Sequence, residues 1–218
     1  MKKMICIFSL LVLICFSCKK DDDSVELGYK YFPTTEGLYK VYDVMEIFHD
    51  HPSLVHDTTK YQLKTIIGAL YTALEGQQAH VFYRYKRDSS YQEWILTDVW
   101  SIKRDEFRGE IVEENRRVIK LGFPTNDGSS WNINAQNDLD PVYGTIERAH
   151  QSKISNGVNY EETVTVRYAF SNNLIDEIDS YETYAANIGL IHLHNQDLSK
   201  VFGTSQVNKG TEIHYDLL

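Results

Sequence analysis

The sequence predicts a mainly β protein: a single curved antiparallel sheet of roughly ten strands, with at most short helices. Composition is one reason, since 15 tyrosines, 9 phenylalanines and 3 tryptophans accompany only 4 prolines, and aromatic side chains favour strands. Period-two patterning is another: Val164, Val166, Tyr168 and Phe170 lie at alternate positions, as along one face of a half-buried strand. Turn signals separate such runs. A barrel, a half-barrel and a sandwich all fit this pattern.

The first 17 residues are typical of a bacterial signal peptide. Lys2 and Lys3 precede an apolar run over residues 4–16, which is shorter than the about 20 residues that a membrane-spanning helix needs. Residues 14–17 resemble the motif before a lipid-modified cysteine, with a small serine directly before Cys18. Residues 1–17 are therefore predicted to be removed and Cys18 to carry the lipid. An ordinary signal peptide cut elsewhere is the alternative.

A charged segment follows the predicted lipidation site. Residues 18–28 are predicted to form a lipidated tether, ahead of a single β domain over residues 29–218. The tether contains five consecutive charged residues, Lys19, Lys20, Asp21, Asp22 and Asp23. This run resembles the signal that one phylum of Gram-negative bacteria uses to export lipoproteins to the cell surface, and is otherwise typical of a solvated, disordered stretch. We expect a lipid-anchored outer-membrane protein, exposed at the cell surface or else at the periplasmic face.

Cysteine content and charge disfavour several functions. The three cysteines, Cys6, Cys15 and Cys18, lie in the signal peptide or directly after it, so the predicted domain has no disulfide, cysteine nucleophile or cysteine-bound zinc. The formal net charge of −9 becomes more negative once Lys2 and Lys3 are lost, which disfavours nucleic acid and anionic lipid as binding partners. The motifs of serine hydrolases, zinc proteases and P-loop enzymes are absent. We expect no enzyme and no cofactor.

Three turn signals predict hairpins. Asn156 and Gly157 form the strongest, because Asn-Gly between two strand-like runs favours a tight turn. Residues 88–90 and 114–116 separate further pairs of runs in the same way. Since hairpins join antiparallel strands, these signals predict an antiparallel sheet.

Two stretches lack a clear strand pattern. Residues 126–141 are the longest polar stretch and predict a loop around Trp131. Residues 172–184 are ambiguous, and a short helix is the interpretation considered near residues 173–178.

Several segments resemble those of uncharacterised outer-membrane lipoproteins. YFP at residues 31–33 with GLYKVYDV at 37–44 is similar to their opening motif, FP and GSSWN within 123–132 to their central loop, and YAANIGLI at 184–191 to a late strand. Those lipoproteins are similar to LolA/LppX-like carriers, in which a curved half-barrel holds acyl chains on its concave face. The resemblance implies a half-barrel or open barrel that binds a lipid or other hydrophobic ligand. Fold alone does not establish that function.

Histidines supply the candidate metal ligands. His49, His51 and His56 form the densest cluster, and His49 and His51 point to the same side of an extended chain, where two imidazoles and a carboxylate could hold a metal. A polar loop between two strands is the favoured interpretation, because turn residues follow His51. His192 and His194 share one strand face, without an identifiable third ligand, and a solvent-facing strand side is the favoured interpretation.

Two acidic stretches could supply oxygen ligands for calcium. Residues 126–129 and 137–140 are rich in asparagine and aspartate, but neither matches the spacing of a calcium-binding loop. Turn formation is the favoured interpretation.

The sequence leaves three functional hypotheses. The first is a non-enzymatic, lipid-anchored domain that binds an apolar or amphipathic ligand, or an outer-membrane protein partner. The second is a structural or accessory subunit of a surface complex, which predicts an exposed aromatic patch and no pocket. The third is a metal-dependent enzyme that uses the histidines.

Overall fold

The structure is a computed structural model that describes residues 26–73 and 76–218. The predicted signal peptide, the lipidation site at Cys18 and the charged run 19–23 lie outside the described residues. Within them, twelve strands form one antiparallel sheet, which confirms the predicted mainly β fold with a single curved sheet. No helix of the described part is long and apolar enough to cross a membrane.

The strands follow the alternating patterns of the sequence, and two three-residue 3-10 helices, Tyr29–Tyr31 and His51–Ser53, lie before β1 and between β1 and β2. The strands in the described residues are β1 Tyr39–Asp50, β2 Val55–Thr72, β3 Gln78–Arg87, β4 Ile95–Arg104, β5 Arg108–Glu113, β6 Arg116–Gly122, β7 Ser130–Asn132, β8 Tyr143–Ser155, β9 Val158–Asn172, β10 Asp176–Ala185, β11 Gly189–Lys200 and β12 Val207–Leu217.

The sheet curves into a nearly closed barrel. Its strand order is β6-β5-β4-β3-β2-β1-β12-β11-β10-β9-β8-β7, so the first and last strands pair in the middle of the sheet. The two edges, β6 and β7, are consecutive in sequence and come close together. The Ile119 N–H donates to the Ile133 carbonyl at 3.0 Å, and the Trp131 indole N–H donates to the Ile119 carbonyl at 3.0 Å.

The predicted hairpins are confirmed. Asn156 and Gly157 join β8 to β9 with φ angles of 47° and 76°, as a type I′ turn requires at both central positions. Glu114 and Asn115 join β5 to β6 with φ angles of 46° and 62°. Residues 88–94 connect β3 to β4.

The helix considered near residues 173–178 is wrong. Residues 173–175 form a turn in which the Asn173 side-chain oxygen accepts the N–H groups of Ile175 and Asp176, both at 2.8 Å. From Asp176 the chain is a strand, paired on both sides with β9 and β11. Pairing with two neighbours outweighs the weak local preference of this segment.

The loop predicted over residues 126–141 is correct for most of its length, but it contains the short strand β7. Trp131 lies at its centre and packs against Gly122, where an added Cβ would lie 2.8 Å from the indole ring. The aromatic side chain holds β7 beside β6 and so brings the sheet edges together.

The hydrophobic core fills one end of the barrel. The segment before β1 enters this end, and its Tyr31 and Phe32 are almost fully buried. Further core side chains come from β2 to β4, β6 and β8 to β10. They are Ile67, Phe82, Ile102, Leu121, Ile146, Val164, Val166 and Tyr184. We call this region the filled end.

Candidate functional site

The barrel encloses a cavity of about 320 Å³ next to the filled end. This volume is at the lower end of the range for small-molecule pockets, about 300–1,000 Å³. A second space of about 420 Å³ extends toward the opposite end and shares Lys120, Glu182, Leu193 and Tyr215 with the first. The walls of the first cavity are mainly aromatic and aliphatic. They include Phe32, Tyr42, Leu63, Phe82, Trp100, Ile102, Ile111, Tyr184, Leu190, Leu193 and Tyr215.

Lys120 lies in the cavity wall within a fully paired cluster. Its Nζ is 3.0 Å from a Glu113 oxygen and 3.3 Å from a Glu182 oxygen. The Tyr168 hydroxyl donates to Glu182 at 2.8 Å, and the Tyr184 hydroxyl donates to the same carboxylate. Burial opposes the charge on Lys120, but the two carboxylates outweigh it and raise the pKa of this lysine above its usual range.

Lys40 faces the same cavity without an opposite charge. Its hydrogen bond is long, 3.4 Å from Nζ to the Ile188 carbonyl, and no carboxylate pairs with it among the described residues. Burial lowers the pKa of Lys40 to about 8. Gly189 makes room for the ammonium, because a Cβ at that position would lie 2.9 Å from Nζ.

Thr65 is the neighbour of Lys40 across the β1–β2 ladder. The two residues are directly opposite in the register, which places their Cβ atoms about 4.5–5.5 Å apart. Thr65 is only 5% exposed, yet its hydroxyl has no hydrogen-bond partner. Leaving a buried hydroxyl unpaired is unfavourable, so this pair is the least satisfied polar part of the cavity.

Arg84 is held in place by its neighbours. Its guanidinium carbon lies 4.0 Å from the centre of the Trp100 ring. Its nitrogens lie 3.5 Å from an Asp98 oxygen and 3.3 Å from the Tyr215 hydroxyl. Unlike Lys40, this cation therefore has a carboxylate, a hydroxyl and an aromatic face as partners.

The structure does not bring His49, His51 and His56 together. His49 and His56 are opposite each other on β1 and β2, with 3.1 Å between their Nδ1 atoms, and His49 Nε2 is 2.8 Å from Glu212. His51 instead lies 2.7 Å from the side-chain nitrogen of Gln206. Across residues 26–73 and 76–218, no three histidine, cysteine, aspartate or glutamate side chains form a group that could hold a metal.

His192 and His194 share one face of β11, as the pattern predicts. His192 is 2.7 Å from Asp216, and His194 is 3.1 Å from His214. Desolvation and then the neighbouring His214 lower the pKa of His194. Leu193, between the two histidines, lines the cavity.

The acidic stretches form turns. Asp127 accepts the Ala149 backbone N–H at 2.6 Å, and Asn137 accepts the N–H of Leu139 at 2.9 Å. The Asn134 amide donates to the Asp140 carbonyl at 2.7 Å. Their side chains are thus used to fix the loops, as the turn interpretation expects.

Sequence reasoning missed the polar residues of the cavity. Lys40 stands two positions before Tyr42 on one face of a strand, and Lys120 stands between the apolar Ile119 and Leu121. For Lys40, a lysine in phase with the inward-facing Tyr42 was the available signal. Lys120 alternates with the buried Ile119 and Leu121, so the strand pattern gave no such signal there. Its partners could not be found, because they come from strands distant in sequence.

No family model matches the chain, and no curated protein matches it. Among solved structures, a "putative lipoprotein" from Parabacteroides distasonis is similar at 10% identity and a TM-score of 0.43, covering 86% of this chain and 98% of the other. At this level of likeness, function must be argued from the residues of the present chain.

Proposed function

We propose that this chain is a non-enzymatic, lipid-anchored binding protein of the outer membrane, which holds an apolar or amphipathic ligand inside its curved sheet. The cavity next to the filled end supports this proposal most directly. Its aromatic and aliphatic walls suit a hydrocarbon chain, and its few polar groups are grouped rather than scattered. The membrane anchor is proposed from Cys18, since acyl chains contribute about 0.8 kcal/mol per buried CH₂.

The polar groups around Lys120 favour binding over catalysis. Lys120, Glu113 and Glu182 are occupied by one another, and two tyrosine hydroxyls donate to Glu182. Such a cluster fixes the shape of the wall. The charged run 19–23 supports display of the domain at the cell surface, with the periplasmic face as the alternative location.

Native mass spectrometry tests the proposal. The full-length protein is purified from the cells that naturally make it, in a sugar detergent of known mass. We expect a reproducible adduct that extracts into organic solvent and disappears on denaturation. A covalent lipid on Cys18 survives denaturation, so the same spectra test the anchor separately.

A cavity-filling variant provides the control. Leu193→Trp places a bulky indole ring in the space shared by both parts of the cavity. We expect this substitution to remove the adduct. Leu96→Trp makes the same change at an exposed position of β4 and should leave the adduct in place. An adduct that persists in Leu193→Trp, or that never forms in the unchanged protein, contradicts binding inside the barrel.

A docking role is the second candidate, because part of the sheet exposes apolar side chains. Tyr71, Val81, Val99 and Val112 line one shallow depression across β2 to β5, and Val99 is 57% exposed. This role predicts a partner protein that co-purifies with the unchanged chain but not with Val99→Asp, together with an empty cavity. Elemental analysis of the same preparation tests the metal-enzyme alternative.

A further inference from the structure

The two least satisfied polar groups of the cavity are neighbours. We propose that Lys40 and Thr65 form a head-group site, and that the ligand is a single-chain amphiphile that ends in a carboxylate. This inference rests on the proposed function, because it names the ligand class of the same cavity.

The absence of a counter-charge at Lys40 points to an anion. Lys40, Arg84 and Lys120 are the cations of the cavity wall. Lys120 contacts Glu113 and Glu182, and Arg84 lies near Asp98. In the described part of the chain, Lys40 is thus the cavity cation that no carboxylate neutralises, and a bound anion would supply the missing charge.

The donors match a carboxylate. An ammonium has three N–H donors, and the long contact to the Ile188 carbonyl uses one of them. The Thr65 hydroxyl adds a further donor with no partner. A carboxylate offers two oxygens to such a pair, and hydrogen bonds to a charged acceptor are stronger than those between neutral groups.

The surrounding surface suits one hydrocarbon chain. Tyr42 and Leu63 lie two positions from Lys40 and Thr65 on the inward face of the same strands, and both line the cavity. From there the wall continues through Leu190 to Leu193, where the second space begins. A ligand with its head at Lys40 therefore has an apolar path along the barrel interior.

The backbone around Lys40 is shaped for the ammonium. Gly189 has a φ of +88°, and a Cβ there would lie 2.9 Å from Nζ, closer than side-chain atoms normally approach. Pro33 closes the same space from the side, 3.3 Å from that absent Cβ. A side chain that merely reached for solvent would need no such opening beneath it.

Quenching of tryptophan fluorescence tests the inference. Of the three tryptophans, Trp100 lines this cavity. The full-length protein is placed in phosphatidylcholine nanodiscs and titrated with 11-bromoundecanoate, a carboxylate whose bromine quenches nearby indoles. The neutral match is 11-bromoundecanol. Each probe also partitions into the bilayer, but to the same extent for every variant. Differences in quenching between variants therefore report binding to the protein.

We expect the unchanged protein to bind the carboxylate at least about tenfold more tightly than the alcohol, as a charge-assisted hydrogen bond implies. Lys40→Met should remove this preference and leave alcohol binding unchanged. Thr65→Val should reduce the preference by a smaller factor. A structural role for Lys40 would lower both affinities together and would not change their ratio.

The outcomes separate the two proposals. Equal binding of both probes that Leu193→Trp abolishes overturns the head-group site and leaves the cavity as a binding site. Failure of both probes to bind the unchanged protein, or binding insensitive to Leu193→Trp, overturns the proposed function itself. A preference for the carboxylate that survives in Lys40→Met also overturns the head-group site.

Discussion

Two lysines face the same cavity, but only one of them is neutralised by carboxylates. Lys120 contacts two carboxylates, and its pKa is raised. Lys40 has only a distant backbone carbonyl, and burial lowers its pKa to about 8. The comparison shows that a lysine in a cavity wall can have one of two roles. A compensated lysine stabilises the fold, whereas an uncompensated one destabilises it and is available to a ligand.

The two lysines also differ in how their neighbours are satisfied. Around Lys120, Tyr168 and Tyr184 donate to Glu182. Beside Lys40, the Thr65 hydroxyl has no partner. Satisfied networks rigidify a protein interior, while unsatisfied groups mark places where another molecule can bind.

The largest expected effect is at Lys120. Lys120→Met leaves Glu113 and Glu182 without their cation, so we expect the free energy of unfolding to fall by about 3 kcal/mol. Chemical denaturation followed by tryptophan fluorescence measures it. Lys60→Met, at an exposed position, is the control and should change stability by less than about 0.5 kcal/mol. Equal effects of Lys120→Met and Lys60→Met would show that Lys120 is not a stabilising, charge-compensated cation.

Gly189 tests the fit around Lys40. Gly189→Ala combines an unfavourable positive φ with a Cβ that lies 2.9 Å from Nζ, so we expect a loss of about 2 kcal/mol. Gly37→Ala has the same backbone strain at φ +85° but nothing within 4 Å. Thermal or chemical denaturation gives the loss of stability in each variant, and the extra loss in Gly189→Ala over Gly37→Ala measures the contact with Nζ. Equal losses would show that the position of the ammonium is not constrained.

Lys40 should behave opposite to Lys120. Lys40→Met removes a half-buried charge that no carboxylate neutralises, and we expect stability at pH 7 to rise by about 1 kcal/mol. The unfolded chain has the usual lysine pKa of 10.5 and the folded chain about 8. Between these values the unfolded state binds more protons, so stability of the unchanged protein rises with pH. Denaturation at pH 7, 9 and 10 should show this rise weakened in Lys40→Met. A destabilised Lys40→Met would mean that the charge is compensated.

The smallest expected effect is at Thr65. Thr65→Val replaces an unpaired hydroxyl with a methyl group of similar size, so stability should change by less than about 0.5 kcal/mol or rise slightly. Thr165→Val is the matched control, because the Thr165 hydroxyl bonds Thr183 at 3.2 Å. We expect that variant to lose about 1 kcal/mol. If both variants are equally destabilised in denaturation, Thr65 has a partner in solution.

Local patterns predicted the fold where local signals exist. The Asn-Gly turn at residues 156–157 and the period-two runs of β9 gave the hairpins and the sheet. The exact number of strands, twelve rather than roughly ten, and the near closure of the barrel could not be predicted in this way. The pairing of β1 with β12 joins Tyr42 to Leu217, and such long-range contacts leave no local trace in the chain. The short β7 depends on Trp131 packing against Gly122.

The candidate site was harder to predict than the fold. The spacing of the histidines suggested a metal site. In the structure, however, His51 lies beside Gln206, whereas His49 and His56 lie beside each other. The pairing of Lys40 with Thr65 depends on the length of the β1–β2 hairpin and its register. A lysine and a threonine 25 positions apart carry no recognisable motif.

Titration of Lys40 shows most directly whether its ammonium lacks a counter-charge until a carboxylate binds. Competitive acetylation across pH, read by mass spectrometry, gives the pKa of Lys40 in the full-length protein with and without saturating undecanoate. The facing groups Tyr42, Tyr184 and Tyr215 have raised pKa values, and Lys120 does also. We predict a pKa of about 8 for Lys40 without ligand and a clear rise with it, because a bound carboxylate favours the ammonium. A pKa near 10.5 in the free protein, or one that undecanoate does not move, would contradict it.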